Sequence, residues 1–151
     1  MNPKSNLLAG LGAGFAATLV LSALMILKQR MGLTPDLNPA EVLARMSGTG
    51  SPAIGWLLHF AIGTIVWGLL FAWVSPMLPG SYWLRGVLFA TGAWLVMMLV
   101  VMPMAGAGLF GLNLGTMAPV ATLVLHWVFG VVLGAVYGAM TIRPDVVALS
   151  R

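Results

Sequence analysis

Two histidines are the residues of this sequence best suited to carry chemistry. His59 and His126 each open the same pattern, a histidine, an aromatic residue, two apolar residues and then a glycine, Gly63 or Gly130. Both patterns lie in long apolar stretches that contain no Asp, Glu, Lys or Arg. Ionisable side chains within a membrane are costly and often functional. The histidine pair is therefore the first candidate site.

Two neutral imidazoles at one depth could ligate a single metal ion. The most specific form of this hypothesis is a b-type haem held by His59 and His126 within a helical bundle. Gly63 and Gly130, one turn beyond the histidines, would then leave space for the porphyrin. Another metal or a quinone head group would suit the same pair. The simplest interpretation is that each imidazole hydrogen-bonds to a neighbouring helix and that the repeated pattern records a duplication.

Methionine is frequent in this chain, which contains eleven. Met102 and Met104 flank a proline at the end of an apolar stretch, on the same predicted side of the membrane as the histidines. Thioether sulfur and imidazole are ligands that suit copper(I), so His59, His126, Met102 and Met104 form a candidate copper site. Methionine is also an adaptable apolar filler, and packing is the simpler explanation.

The composition indicates that lipid, and not water, is the solvent of this chain. Apolar residues make up 60% of the sequence and charged residues 7%, against about 25% charged residues in soluble domains. The seven basic residues are too scattered for a nucleic-acid surface, and they suit contact with lipid head groups better. The absence of cysteine excludes disulfides and thiolate metal sites. Integral membrane proteins remain as the class.

The sequence lacks several common motifs of enzymatic chemistry. It has no G-x-S-x-G elbow, no H-E-x-x-H pair and no phosphate-binding glycine loop with its lysine. The apolar stretches contain no carboxylate pair. Proton-coupled transport is disfavoured as well, because no buried acid is available to exchange protons. We therefore predict that the protein is not an enzyme.

Four apolar stretches approach or exceed the roughly 20 residues that cross a bilayer as a helix. We expect one all-α domain over residues 1–151, a bundle of four transmembrane helices in which the first stretch is retained and not cleaved as a signal peptide. In the first loop, Asn38, Pro39 and Glu41 predict the capped start of a short amphipathic helix. The glycine-rich segment 105–117 is expected to be a loop, with a reentrant turn as the alternative. The four predicted spans are 7–27, 54–74, 86–102 and 119–140.

The repeated histidine pattern indicates two helical hairpins in tandem. Phe15-Ala16-Ala17 in the first span aligns with Phe89-Ala90-Thr91 in the third. Such a parallel repeat would place both histidines at a similar depth. Glycines spaced four residues apart predict close helix packing, with an oligomer contact or a flat cofactor as alternatives; they are Gly10 and Gly14 in the first span and Gly130, Gly134 and Gly138 in the last.

The chain resembles a group of short, four-span bacterial membrane proteins that is classed only as a domain of unknown function. The resemblance covers nearly the whole chain and implies a four-helix domain in a bacterial inner membrane. It implies no activity, cofactor or substrate. It draws attention to His59, Met102, Pro103, Gly106, Gly108 and His126 as family-like positions. It is carried by Leu58-His59-Phe60 with Gly63, by Val101-Met102-Pro103-Met104 leading into Gly106-Ala107-Gly108-Leu109-Phe110-Gly111, and by His126 with Gly130 and Tyr137-Gly138.

Three functional hypotheses follow from the sequence. The first is a non-enzymatic membrane component that self-associates or accompanies a larger complex in the bilayer. The second is an electron carrier with a b-type haem, and the third is an oligomeric channel or carrier for copper or a small molecule. An even number of spans places both termini on one side of the membrane, and the distribution of basic residues favours the cytoplasm.

Overall fold

Four long helices make up most of the protein. A computed structural model describes residues 3–32 and 38–141, and in these ranges it contains helices and turns without a strand. Each long helix is long and apolar enough to cross a membrane, which confirms the predicted architecture. The helices extend beyond the predicted spans because the prediction used the apolar residues alone. They are α1 (Pro3–Arg30), α3 (Pro52–Met77), α4 (Tyr82–Met104) and α5 (Ala118–Thr141), with the short α2 (Pro39–Met46) between α1 and α3.

The short helix α2 begins as the sequence predicts. The side-chain oxygen of Asn38 accepts a hydrogen bond from the backbone N–H of Ala40 at 3.1 Å, and Pro39 occupies the first turn, where its missing N–H is not needed. The buried face of α2 packs on the start of α3, where a side chain at Gly55 would collide with the carbonyl of Ala40. The first loop is therefore attached to the bundle by a capped helix.

The helices form two hairpins, α1 with α3 and α4 with α5, and contact between α1 and α5 joins them. In each hairpin two glycines face each other. A Cβ atom placed on Gly10 would lie 2.6 Å from the carbonyl oxygen of Gly68, and one on Gly130 would lie 2.5 Å from that of Gly86. These glycines pack helices within one chain.

The half of the bundle near the chain termini has a continuous aromatic core. Phe71 of α3 is fully buried, and its ring centroid lies 5.3 Å from the ring centroids of both Phe89 and Tyr137. The last two residues belong to α4 and α5, so Phe71 joins the two hairpins. Edge-on aromatic contacts at this spacing add to the packing energy. We call this half the packed end.

The segment between α4 and α5 is an ordered turn in which two short 3₁₀ turns within Leu109–Leu114 are separated by a kink at Phe110 and Gly111. Phe110 has a φ of 55°, a left-handed conformation that is rare for a residue with a side chain. Its ring lies 5.9 Å from that of Trp94, and Asn113 donates a hydrogen bond to the carbonyl of Gly106 at 3.2 Å. The turn thus packs against α4 on the same side of the bundle as α2.

Candidate functional site

A cavity of about 230 Å³ lies in the half of the bundle opposite the packed end. All five helices contribute to its wall, and His59 and His126 both line it. The structure therefore brings the two histidines of the repeated pattern to one cavity. The described residues of the lining are Thr18, Leu21, Met25, Asn38, Pro39, Val42, Leu43, His59, Ile62, Gly63, Trp67, Ala93, Val96, Met97, Val101, Met102, Thr122, Leu125, His126 and Phe129.

The ring orientation of His126 is fixed by its own helix. Its Nδ1 atom lies 2.8 Å from the carbonyl oxygen of Thr122, one turn earlier in α5. Because a carbonyl oxygen can only accept, Nδ1 must carry the proton of this hydrogen bond. In the neutral imidazole the other nitrogen, Nε2, then has a lone pair and acts as an acceptor. His126 therefore offers an acceptor, or a metal ligand, to its surroundings.

His59 is held by aromatic neighbours. Its ring meets those of Trp56 and Phe60 edge-on, with centroid distances of 5.7 and 5.9 Å. Its Nε2 atom is buried and has no hydrogen-bond partner in the described part of the chain. Buried polar atoms without a partner are rare and reduce stability. His59 lines the cavity, but because this atom is covered by its neighbours, a ligand would reach it only after a small rotation of the imidazole ring.

The hydroxyl groups of the described lining are already used within the protein. Thr18 donates to the carbonyl of Gly14, and Thr122 donates to that of Ala118, both at 2.7 Å. Thr122 also accepts a hydrogen bond from the indole N–H of Trp94 at 3.1 Å. The side-chain groups that remain to recognise a ligand are the two imidazoles, the amide nitrogen of Asn38 and the indole N–H of Trp67.

Two helices change their winding where they border the cavity. Residues Ile62–Trp67 of α3 and Met97–Val101 of α4 form π-helical turns, which are wider than α-helical turns. Ile62, Gly63 and Trp67 of the first turn, and Met97 and Val101 of the second, line the cavity. Turns of this kind occur frequently at functional sites.

The structure separates the four residues of the predicted copper site. Met102 lines the cavity together with the two histidines, whereas Met104 is 70% exposed and outside the lining. Two further methionines, Met25 and Met97, take part in the wall instead. The described residues contain no group of three or more His, Cys, Asp or Glu side chains arranged to hold a metal ion.

The two glycines of the predicted haem pocket occupy different surroundings. Gly63 borders the cavity and packs against Thr18, whereas Gly130 lies against Gly86 in the crossing of α4 and α5, outside the lining. A volume of about 230 Å³ is also below the about 300–1,000 Å³ usual for pockets that hold drug-sized ligands. A porphyrin would therefore require the helices to move apart.

Sequence reasoning missed the hydrogen bonds that join α4 to α5 beside the cavity. Trp94 of α4 donates to Thr122 of α5, and in the opposite direction Trp127 of α5 donates to Thr91 of α4, each at 3.1 Å. The sequence did contain a signal for a different contact, the hydrogen bond within α5. Thr122 precedes His126 by one helical turn, so its carbonyl is within reach of the imidazole. No spacing in the sequence links residues on different helices.

Together, the four apolar helices define a multi-pass integral membrane protein with a cavity between its spans. Residues 4–147 match the family model DUF6789, described as a family of unknown function, and the chain belongs to that family. This confirms the resemblance to an uncharacterised family. A search of curated proteins and a search of solved structures found no match.

Proposed function

We propose that this protein is a non-enzymatic membrane component that binds a small, uncharged, mainly apolar molecule in the cavity. One observation carries the proposal. His59, with a buried and unpartnered Nε2 in the described structure, and His126, with a fixed acceptor nitrogen, line the same cavity. Ligand sites commonly combine an apolar wall with a few polar groups that orient the ligand.

The wall also limits the charge of the ligand. Its described residues include no acidic or basic side chain apart from the two histidines. Transfer of an unpaired charge from water into such a site is strongly unfavourable. An uncharged molecule that already partitions into the bilayer avoids this penalty.

The test is to identify what co-purifies with the protein. Leu125→Trp fills the cavity, whereas Val124→Trp places the same ring on the neighbouring residue, which is outside the lining and 50% exposed. Native mass spectrometry and solvent extraction of each purified protein should find a small molecule in the wild type and in Val124→Trp, and much less of it in Leu125→Trp. Equal occupancy in two folded variants would contradict the proposal.

A second candidate function, copper(I) handling, is supported by the methionines of the wall. Met25, Met97 and Met102 line the same cavity as both histidines and supply neutral, soft ligands. Metal analysis of protein purified with copper(I) tests this candidate. Met102→Leu should lower the copper content and Met104→Leu, outside the cavity, should not. Equal copper retention by both variants would reject it.

The glycine spacings give little support to self-association. Gly10, Gly86 and Gly130 are occupied by contacts inside one chain, and a Cβ on Gly138 would lie within 2.9 Å of Tyr82. An oligomer or a larger complex would have to use other surfaces of the spans. The binding function proposed above requires only one chain, because one chain supplies the whole described wall.

For the location we infer a bacterial inner membrane with cytoplasmic termini, on the basis of the family-like sequence and the basic residues. The cavity would then lie in the half of the bilayer away from the cytoplasm, since His59 and His126 lie at the end opposite the termini. Fusions at the carboxyl terminus test this orientation. A fluorescent protein should be bright there and alkaline phosphatase inactive, and the reverse result would invert the assignment.

A further inference from the structure

We propose that the ligand is a hydroxylated ring, such as the head group of a quinol, and that His126 favours it over the oxidised quinone. This inference rests on the proposed binding function and names the chemical class of the ligand. The decisive feature is the hydrogen bond between Nδ1 of His126 and the carbonyl of Thr122. It leaves Nε2 as an acceptor, so the matching ligand atom must carry a hydrogen.

A hydroxyl group meets this requirement without a charge. An alcohol or phenol donates one hydrogen bond and can accept others. The same type of group can therefore donate to Nε2 of His126. It can also pair with the unpartnered Nε2 of His59, in either protonation state, once a small ring rotation uncovers that atom. An amine would also donate, but it would carry a positive charge at neutral pH into a wall without an acidic side chain among its described residues.

The size and shape of the wall suit a single substituted ring. The volume of about 230 Å³ is somewhat below that of pockets for drug-sized molecules. Trp67 and Phe129 contribute aromatic surface to the lining, against which a flat ring can pack. Val96 belongs to the lining and is 49% exposed on a spanning helix. The cavity thus borders the lipid, and a membrane-soluble molecule could enter without passing through water.

The oxidised form of such a ring lacks the required hydrogen. A quinone presents only carbonyl oxygens, which would face the lone pair of His126 Nε2 as acceptor against acceptor. A buried hydrogen bond that is not made lowers affinity about ten- to a hundredfold. The site is therefore expected to distinguish two oxidation states of one ring by hydrogen bonding alone.

The experiment compares three small probes on purified full-length protein in detergent under nitrogen. Trimethylhydroquinone has two hydroxyl groups, trimethylbenzoquinone has two carbonyls, and the dimethyl ether of trimethylhydroquinone has no donor. Titration calorimetry should show that wild-type protein binds the hydroquinone about ten- to a hundredfold more tightly than the other two. His126→Phe should remove this preference and Val124→Phe, on the exposed face of α5, should keep it.

The outcomes separate this inference from the proposed function. The proposal of a hydroxylated ring would be overturned, and binding in the cavity left intact, by either of two results. One is equal affinity for all three probes, and the other is binding of none of them while a different molecule co-purifies. A preference that persists in folded His126→Phe would overturn the role of His126. Failure to bind any probe, together with no ligand lost from Leu125→Trp, would overturn the proposed function itself. Circular dichroism and thermal unfolding establish that each variant is folded.

Discussion

The two halves of the bundle are built from the same four helices in opposite ways. At the packed end, glycines bring backbones together and Phe71, Phe89 and Tyr137 fill the space between hairpins. At the other end the same helices surround a cavity of about 230 Å³, lined by His59 and His126. The comparison indicates that one half supplies stability and leaves the other half free to bind a ligand.

The largest expected effect comes from truncation of the aromatic core. Phe71→Ala should lower the free energy of unfolding by about 3 kcal/mol, because it removes the ring that joins the hairpins. Leu125→Ala in the cavity wall should cost less, about 1–2 kcal/mol, because this side chain is only partly buried and has fewer packing contacts to lose. Unfolding of the detergent-solubilised variants by heat measures the difference. Equal losses would show that the two halves contribute alike.

The glycine contact of α4 with α5 provides the next test. Gly86→Leu should destabilise by about 1–3 kcal/mol, because its side chain would collide with the carbonyl of Gly130. Gly92→Leu, on the same helix, is the control, since a Cβ there would have no neighbour within 4 Å. The fraction of monodisperse protein that survives a heating series reports the effect. If both variants melt together, the close crossing is not important for stability.

A smaller effect is expected from the hydrogen bond beside the cavity. Thr122→Val removes the hydroxyl that accepts from Trp94 but keeps the backbone carbonyl that binds His126. The loss should be about 0.6–1.5 kcal/mol, as for hydrogen bonds between helices in membranes. A double-mutant cycle with Trp94→Phe isolates the pair, and a coupling energy near zero would show that the contact is incidental.

The smallest effect is expected at the surface of the cavity end. Asn38→Ala removes the cap of α2 and should cost about 1 kcal/mol locally, seen as faster hydrogen exchange over Pro39–Met46. Glu41→Gln removes the exposed ion pair with Arg45, which spans 3.2 Å, and should change stability by less than about 0.5 kcal/mol. If Glu41→Gln increased exchange as much as Asn38→Ala, the cap would not be what holds α2.

The features that sequence predicted depend on local or solvent-driven physics. The spans follow from the length of apolar stretches, and the start of α2 follows from Asn38 and Pro39 alone. The shared pattern around His59 and His126 drew attention to two residues that the structure places in the wall of one cavity. Composition and spacing were therefore sufficient for the fold, and they singled out two residues of the cavity wall for study.

The rest of the site depends on which side of a helix faces inward. Met102 and Met104 are two positions apart and so lie on nearly opposite faces, but a wholly apolar helix gives no pattern that identifies the inner face. The alignment of the first span with the third also paired Phe15 with Phe89. In the structure the corresponding close contacts are instead those of Gly14 with α3 and of Gly86 with α5, so the two hairpins match at a different offset. Contacts between helices, which the sequence does not reveal, determine both the inner face of α4 and the offset between the two hairpins.

The wide turns of α3 and α4 have a consequence for how the chain can vary. A π turn contains a residue more than an α turn, so deletion of one residue within Ile62–Trp67 would restore regular α winding and leave the helix on either side, with His59 and Phe71, facing as before. The wall of the cavity would change only locally, because Ile62, Gly63 and Trp67 of this turn line it. Insertions and deletions within these two π turns would therefore alter the cavity without disrupting the packed end. Related chains that differ in length there should differ in what they bind.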